Sequence, residues 1–83
     1  MRYTALLHKD AHSSYGVSFP DLPGCFSGGE TEEEAIRNAA EALELHLQAL
    51  HEFGKGIPIA SVFEVIEAKG RELNVKTFRV SLY

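Results

Sequence analysis

The 83-residue chain is short of cysteine and of positive charge, and it contains no long apolar run. Its single cysteine, Cys25, excludes an intrachain disulfide, so a reducing compartment, the cytoplasm, is the expected setting. Eight Lys and Arg stand against twelve Asp and Glu, a net charge of −4. That balance denies the chain the basic face of a bare nucleic-acid binder and suits a solution protein or one that meets a basic partner. No segment approaches the roughly 20 apolar residues that cross a bilayer. The apolar run in the opening MRYTALLHKD stops at Leu7, too early for a signal-peptide core. There is no internal repeat and no low-complexity tract, and the length predicts one domain over residues 1–83.

What is present alternates first and then turns helical. Tyr3, Ala5 and Leu7 share one face of a strand over Arg2 to His8, with Leu6 breaking the alternation. Lys9 to Ser14 reads as a hairpin loop. Tyr15, Val17 and Phe19 then define a second, antiparallel strand that Pro20 ends. In Asp21-Leu22-Pro23-Gly24, Pro23 presets φ at the first central position of a type II turn, and Gly24 supplies the positive φ of the second. Cys25 to Ser27 reads as a short third strand and Gly28-Gly29 as a sharp bend. Thr31 is the expected N-cap of a long helix, with Glu34 completing a capping box and Glu30, Glu32 and Glu33 adding negative charge at the positive end of the dipole. The predicted buried stripe is Ile36, Ala40, Leu43, Leu47 and Leu50, widened by Ala39, while small Ala35, Ala39 and Ala42 permit close approach to a sheet. Glu33 and Arg37 are spaced as an ion pair on the wet face. The helix should stop near Phe53, with Gly54 as a left-handed cap. Ser61 and Glu64 repeat the capping-box spacing, so Ser61 to Lys69 reads as a helix ended by Gly70; Phe63 and Val65 also alternate as a strand would. Val75 to Tyr83 reads as the last strand, with Phe78, Val80 and Leu82 inward. The order β-β-β-α-α-β predicts an α+β fold with its helices on one face of a small, mostly antiparallel sheet.

Candidate chemistry is thin. In an extended strand His8, Asp10 and His12 point the same way, as metal ligands would, but the segment runs into a loop with no fourth ligand. His46 and His51 lie about 140° apart around their helix and do not converge. Ser27-Gly28-Gly29 before a helix N-terminus outlines an anion cradle, yet the P-loop ending is missing. Each neighbouring glutamate at about 4 Å would oppose a phosphate by about 4 kcal/mol at an effective dielectric near 20. Cys25 lacks a charged neighbour to activate it and reads as a small buried hydrophobe. The first strand carries no acid, and no triad or paired carboxylates converge, so no catalytic, metal or cofactor site is expected.

Tyr15-Gly16-Val17, Phe19-Pro20-Asp21-Leu22-Pro23-Gly24-Cys25, Gly29-Glu30-Thr31 and Glu34-Ala35 together resemble the N-terminal domain of HicB-like antitoxins. Asn38-Ala39, Ala42-Leu43, Leu47 and Gly56-Ile57-Pro58 continue the resemblance at similar spacing. It implies a degenerate ribonuclease-H-like fold without catalytic acids, in which one long helix packs on one sheet face. It also implies a partner, HicA, a small basic ribonuclease toxin that cleaves mRNA and that the antitoxin occludes. The motif residues Phe19 to Cys25, Gly29, Thr31, Glu34 and Ala35 are expected to act mainly structurally. Many such antitoxins continue into a module that binds operator DNA; this chain reaches Tyr83 straight after its last strand, so no direct DNA contact is expected from it. A homo-oligomer is expected as well. The rival readings are a stand-alone oligomeric scaffold or ligand-binding protein, and a residual enzyme or RNA binder.

Overall fold

The computed structural model of the chain describes residues 2–9 and 14–82. Its elements run β1 (Arg2–Lys9), β2 (Tyr15–Ser18), β3 (Phe26–Gly29), α1 (Glu32–Glu52), α2 (Phe63–Leu73) and β4 (Lys76–Ser81). The strands form one four-stranded sheet in the order β3-β2-β1-β4, antiparallel throughout. This is the α+β fold the sequence predicts. Asp10 to Ser13, most of the expected hairpin loop, fall outside the described residues.

The long helix lies on one face. Tyr3, Ala5 and Leu7 of β1, Val17 of β2 and Val80 of β4 project from that face into a core with Ala35, Ala39, Leu43 and Leu47 of α1. The buried stripe is therefore displaced by one residue at its start: Ala35 is buried, while the expected Ile36 remains 38% exposed. The cause is the seat of the helix on β3. A β-carbon on Gly29 would come 2.6 Å from the Ala35 backbone nitrogen, so strand and helix touch backbone to backbone at that point. Gly28 and Gly29 are not a bend, as expected, but ladder residues opposite Gly16 and Tyr15; the chain turns at Glu30 and Thr31 instead. Thr31 Oγ1 accepts from Glu34 N at 3.1 Å, as a capping box requires. Glu34 reaches back one residue further than expected, accepting from Glu30 N at 3.0 Å. At the other end Gly54 takes φ +67°, with its N–H on His51 O and Lys55 N–H on Leu50 O, a Schellman closure.

The shorter helix departs from expectation in three ways. It lies on the opposite face, where Gly70 meets Leu6 and Thr77 and Ile66 is buried, so Leu6, which broke the β1 alternation, has its own covering layer. Ser61 is not its N-cap; Val62 precedes the first turn and Ser61 bonds elsewhere. Gly70 does not end it either. The helix runs on to Leu73 and closes at Asn74 (φ 58°), because Gly70 is where α2 crosses β4: a β-carbon there would stand 2.5 Å from Thr77 Cγ2.

Replacing Gly29 with Ala drives a methyl into the α1 backbone and should lower unfolding free energy by about 1–3 kcal/mol, the usual cost of overpacking. Chemical denaturation of Gly29→Ala against the parent measures it; Gly56→Ala, where the added carbon meets nothing within 4 Å, serves as the control.

Candidate functional site

The motif residues follow one continuous path from β2 to the start of α1. From Phe19 the chain makes two successive turns: Leu22 N–H donates to Phe19 O at 2.9 Å, and Cys25 N–H donates to Leu22 O at 3.0 Å. Pro23 and Gly24 (φ +89°) are the central pair of the second turn, the type II geometry expected for them. Phe19, Leu22, Cys25 and Ala35 are buried, Leu22 completely, whereas Pro23, Gly24 and Thr31 face solvent.

The half-buried Asp21 is the polar centre of this path. Its Oδ2 accepts from Ser61 N and its Oδ1 from Ser61 Oγ, each at 2.7 Å. Nearby in the chain, the Tyr3 hydroxyl donates to Pro58 O. These bonds fasten segment 54–62 to the motif turn and to β1. Burial, and secondarily the negative charge of Asp21, push the Tyr3 hydroxyl above its ordinary value of 10.0. Sequence spacing gave no sign of either tie, because the partners are 40 and 55 residues apart.

Other candidates are not brought together. His8 Nε2 lies 2.9 Å from Ser18 Oγ across the β1–β2 ladder, and Asp10 and His12 lie outside the described residues. Among the described residues no group of three His, Cys, Asp or Glu is placed to hold a metal ion. Cys25 Sγ donates to Ala42 O at 3.7 Å, and burial pushes its thiol up, away from the reactive thiolate. The supposed anion cradle is used internally: Ser27 Oγ donates to Ala35 O at 3.4 Å and Asn38 Nδ2 donates to Gly28 O at 2.9 Å, so both tie β3 to α1. His46 is half-buried beside Ala49, Leu50, Phe53 and Lys55 in an open cleft of about 500 Å³, and His51 is exposed.

What this region offers to solvent is apolar and acidic. Segment 54–62 holds Ile57 and Ile59 outward, Ile59 at 93% exposure, with Phe53 and Val62 exposed at its ends. The reading from sequence did not find this rim; its signal was Ile57-Pro58-Ile59, apolar residues in a loop with no periodicity to bury them. The outer side of α1 carries exposed Glu33, Glu41, Glu44 and Glu52, with Arg37 its one Arg or Lys.

A family described as HicB-like antitoxin of bacterial toxin-antitoxin system matches residues 3–78. The chain belongs to the HicB-like antitoxin family. A UPF0150 protein of Thermoplasma acidophilum is 37% identical over 65 residues, 78% of this chain and 94% of its own length. Antitoxin HicB 1 of Photorhabdus laumondii is 37% identical over 59 residues, 71% of this chain but 38% of the antitoxin. The crystal structure of the N-terminal domain of Burkholderia pseudomallei antitoxin HicB superposes with a TM-score of 0.85 at 37% identity, covering 100% of this chain and 99% of that one. A chain of the HicA3 and HicB3 toxin-antitoxin complex superposes with a TM-score of 0.81 at 26% identity, covering 100% and 99%. The HicB-like chain spans 63% of the full Burkholderia antitoxin chain, so it corresponds to that protein's N-terminal part.

Two outcomes follow from the Asp21 and Tyr3 ties. Asp21→Ala orphans the Ser61 amide and hydroxyl and should cost about 1–3 kcal/mol, with faster amide exchange confined mostly to residues 54–62. Exchange mass spectrometry separates that local loosening from global unfolding. The unfolded chain ionises Tyr3 at lower pH than the folded one, so it binds fewer protons there, and stability must fall as pH rises past 10. In Tyr3→Phe this alkaline decline should shrink, read from denaturation midpoints on either side of pH 10.

Proposed function

We propose that this HicB-like chain is a non-enzymatic, cytoplasmic protein-binding module that neutralises a small basic HicA-like ribonuclease toxin, and that it self-associates. The observation that carries the reading is its superposition over the whole chain on a component of a HicA3 and HicB3 toxin-antitoxin complex, within a family of antitoxins. The motif from Phe19 to Cys25, with Gly29, Thr31, Glu34 and Ala35, acts structurally in this proposal. It sets the strand-to-helix path and anchors the 54–62 segment.

Two surface features fit a basic toxin. The exposed glutamates of α1 supply a field that speeds encounter at low salt and is screened over about 10 Å at 0.1 M. The apolar rim of Ile57, Ile59 and Val62 is held by the Asp21 and Tyr3 bonds before any partner arrives, so little ordering entropy is lost on docking. Direct DNA contact is no part of the proposal, since the described surface carries an excess of acid.

Co-expression with the small basic product of a neighbouring reading frame tests this reading. The chain should restore growth and co-purify with the toxin. Ile59→Asp, altering a side chain already in water, should leave folding intact and weaken the complex by about tenfold or more, while added salt slows association. A toxin that stays active and unbound beside the folded chain would sink the proposal.

A further inference from the structure

We infer that the free edge of β4 is a self-association surface, where a second copy of this chain adds its own β4 antiparallel around a two-fold axis at Phe78. This rests on the self-association in the proposed function and names the surface that makes it.

The first observation is Ile36. Helical periodicity places it with the core stripe, one turn before Ala40, yet the single chain leaves it 38% exposed. Ala40 borders an open cleft of about 440 Å³ shared with Glu44 of α1 and Ser81 and Leu82 at the end of β4. The Ile36–Ala40 flank of the helix therefore runs beside the edge strand. Half-buried Phe78 packs onto the same core from β4. An apolar row of helix and strand thus continues to the border of the sheet and stops there.

The second observation is the edge itself. β4 pairs only with β1 among the described residues, over Lys76 to Ser81, and carries neither Pro nor a bulge to blunt it. The opposite edge, β3, has four residues, two of them glycine, and its exposed aromatic, Phe26, lies at the strand start. Joining β4 to β3 of another copy would repeat without closing, whereas β4 on β4 closes as a dimer.

Symmetry and charge then choose the register. To keep both α1 helices on one face, directly opposed residues must be of the same face, so the axis passes through a residue. Phe78 and Arg79 are the two choices that overlap most of the strand. An axis at Arg79 sets two guanidinium groups against each other. An axis at Phe78 pairs Phe78 with itself, Lys76 with Val80 and Thr77 with Arg79, and each Arg79 keeps its place over its own Phe63 ring at 4.4 Å. Lys76 is already matched by Glu32 at 2.9 Å.

The flank of α1 agrees. Glu32 meets Lys76 at one end of β4, and Ala40 and Glu44 meet Ser81 at the other, so helix and strand run the same way and Ile36 sits about level with Phe78. The two-fold then turns each Ile36 flank toward its counterpart. It also brings Glu33 of one copy toward Arg37 of the other. Those residues are spaced as a pair within one helix, but no ion pair forms between them there.

Sedimentation equilibrium of the full chain, with amide exchange at several concentrations, tests the inference. The parent should be a dimer whose β4 amides gain protection as concentration rises. Ile36→Glu should raise the dimer dissociation constant at least about tenfold, the scale of an interface anchor, with unchanged circular dichroism. Phe26→Glu, on the other edge, should stay dimeric. A monomeric parent overturns the self-association and this surface together. A dimer that Ile36→Glu leaves intact, that Phe26→Glu dissociates, or whose β4 amides gain no protection overturns the surface alone. Toxin binding is read separately in the co-purification and is not decided by any of these results.

Discussion

The contact on which the rest of this structure depends is the backbone-to-backbone seat of α1 on β3. Only a residue without a side chain permits it, and Gly29 is that residue. The seat fixes which helical residues face the sheet: with Ala35 pressed against the strand, Ala39, Leu43 and Leu47 follow at four-residue steps into the core. Small residues at the start of that row let the helix come close, and larger ones further on fill the space that opens. The Thr31 cap and the Glu34 return bond close the turn within this corner, and the Ser27 and Asn38 bonds tie the strand to the helix.

A second set of ties works at longer range. Asp21 accepts two short hydrogen bonds from one residue, and Tyr3 reaches the carbonyl of Pro58. Hydrogen bonds to a charged acceptor are about twice as strong as neutral ones, so the motif turn is a firm post for the segment it holds. That segment then offers isoleucines to water without collapsing onto the body. Held at these points, the loop has less conformational entropy left to lose in any contact it makes.

Much of this could be read from the residues. The order and type of the elements, the Pro23-Gly24 turn, the Thr31 cap and the Gly54 stop each depend on local chemistry, and each was legible for that reason. The losses share a cause too. Ser61 has the spacing of a capping residue, but its amide and hydroxyl donate instead to the carboxylate of Asp21, far away in sequence. Gly70 looks like a helix stop, but its missing side chain serves the crossing over Thr77, which no local window contains. Ile36 obeys the helical period and still misses the core, because the seat at Gly29 rotates the start of the helix. Leu6 was the honest irregularity: an apolar residue on the wrong face of a strand announced a second layer, although not which helix would supply it. The motif turn was visible as a pattern, while the loop it restrains was visible only as apolar residues with nowhere to go.

The sheet order carries a consequence for biosynthesis. β1 is an interior strand, and its neighbour on one side is β4, the strand farthest from it in sequence, with Arg2 opposite Ser81. Five successive residues of β1, Tyr3 to Leu7, are buried, so the strand has no comfortable state in water while it waits. A chain emerging at about 5–20 residues per second cannot complete this sheet until β4 has left the ribosome. The β1–β4 ladder joins the two strands of the sheet that lie farthest apart in sequence, so closing it costs the most loop entropy of the three strand pairings.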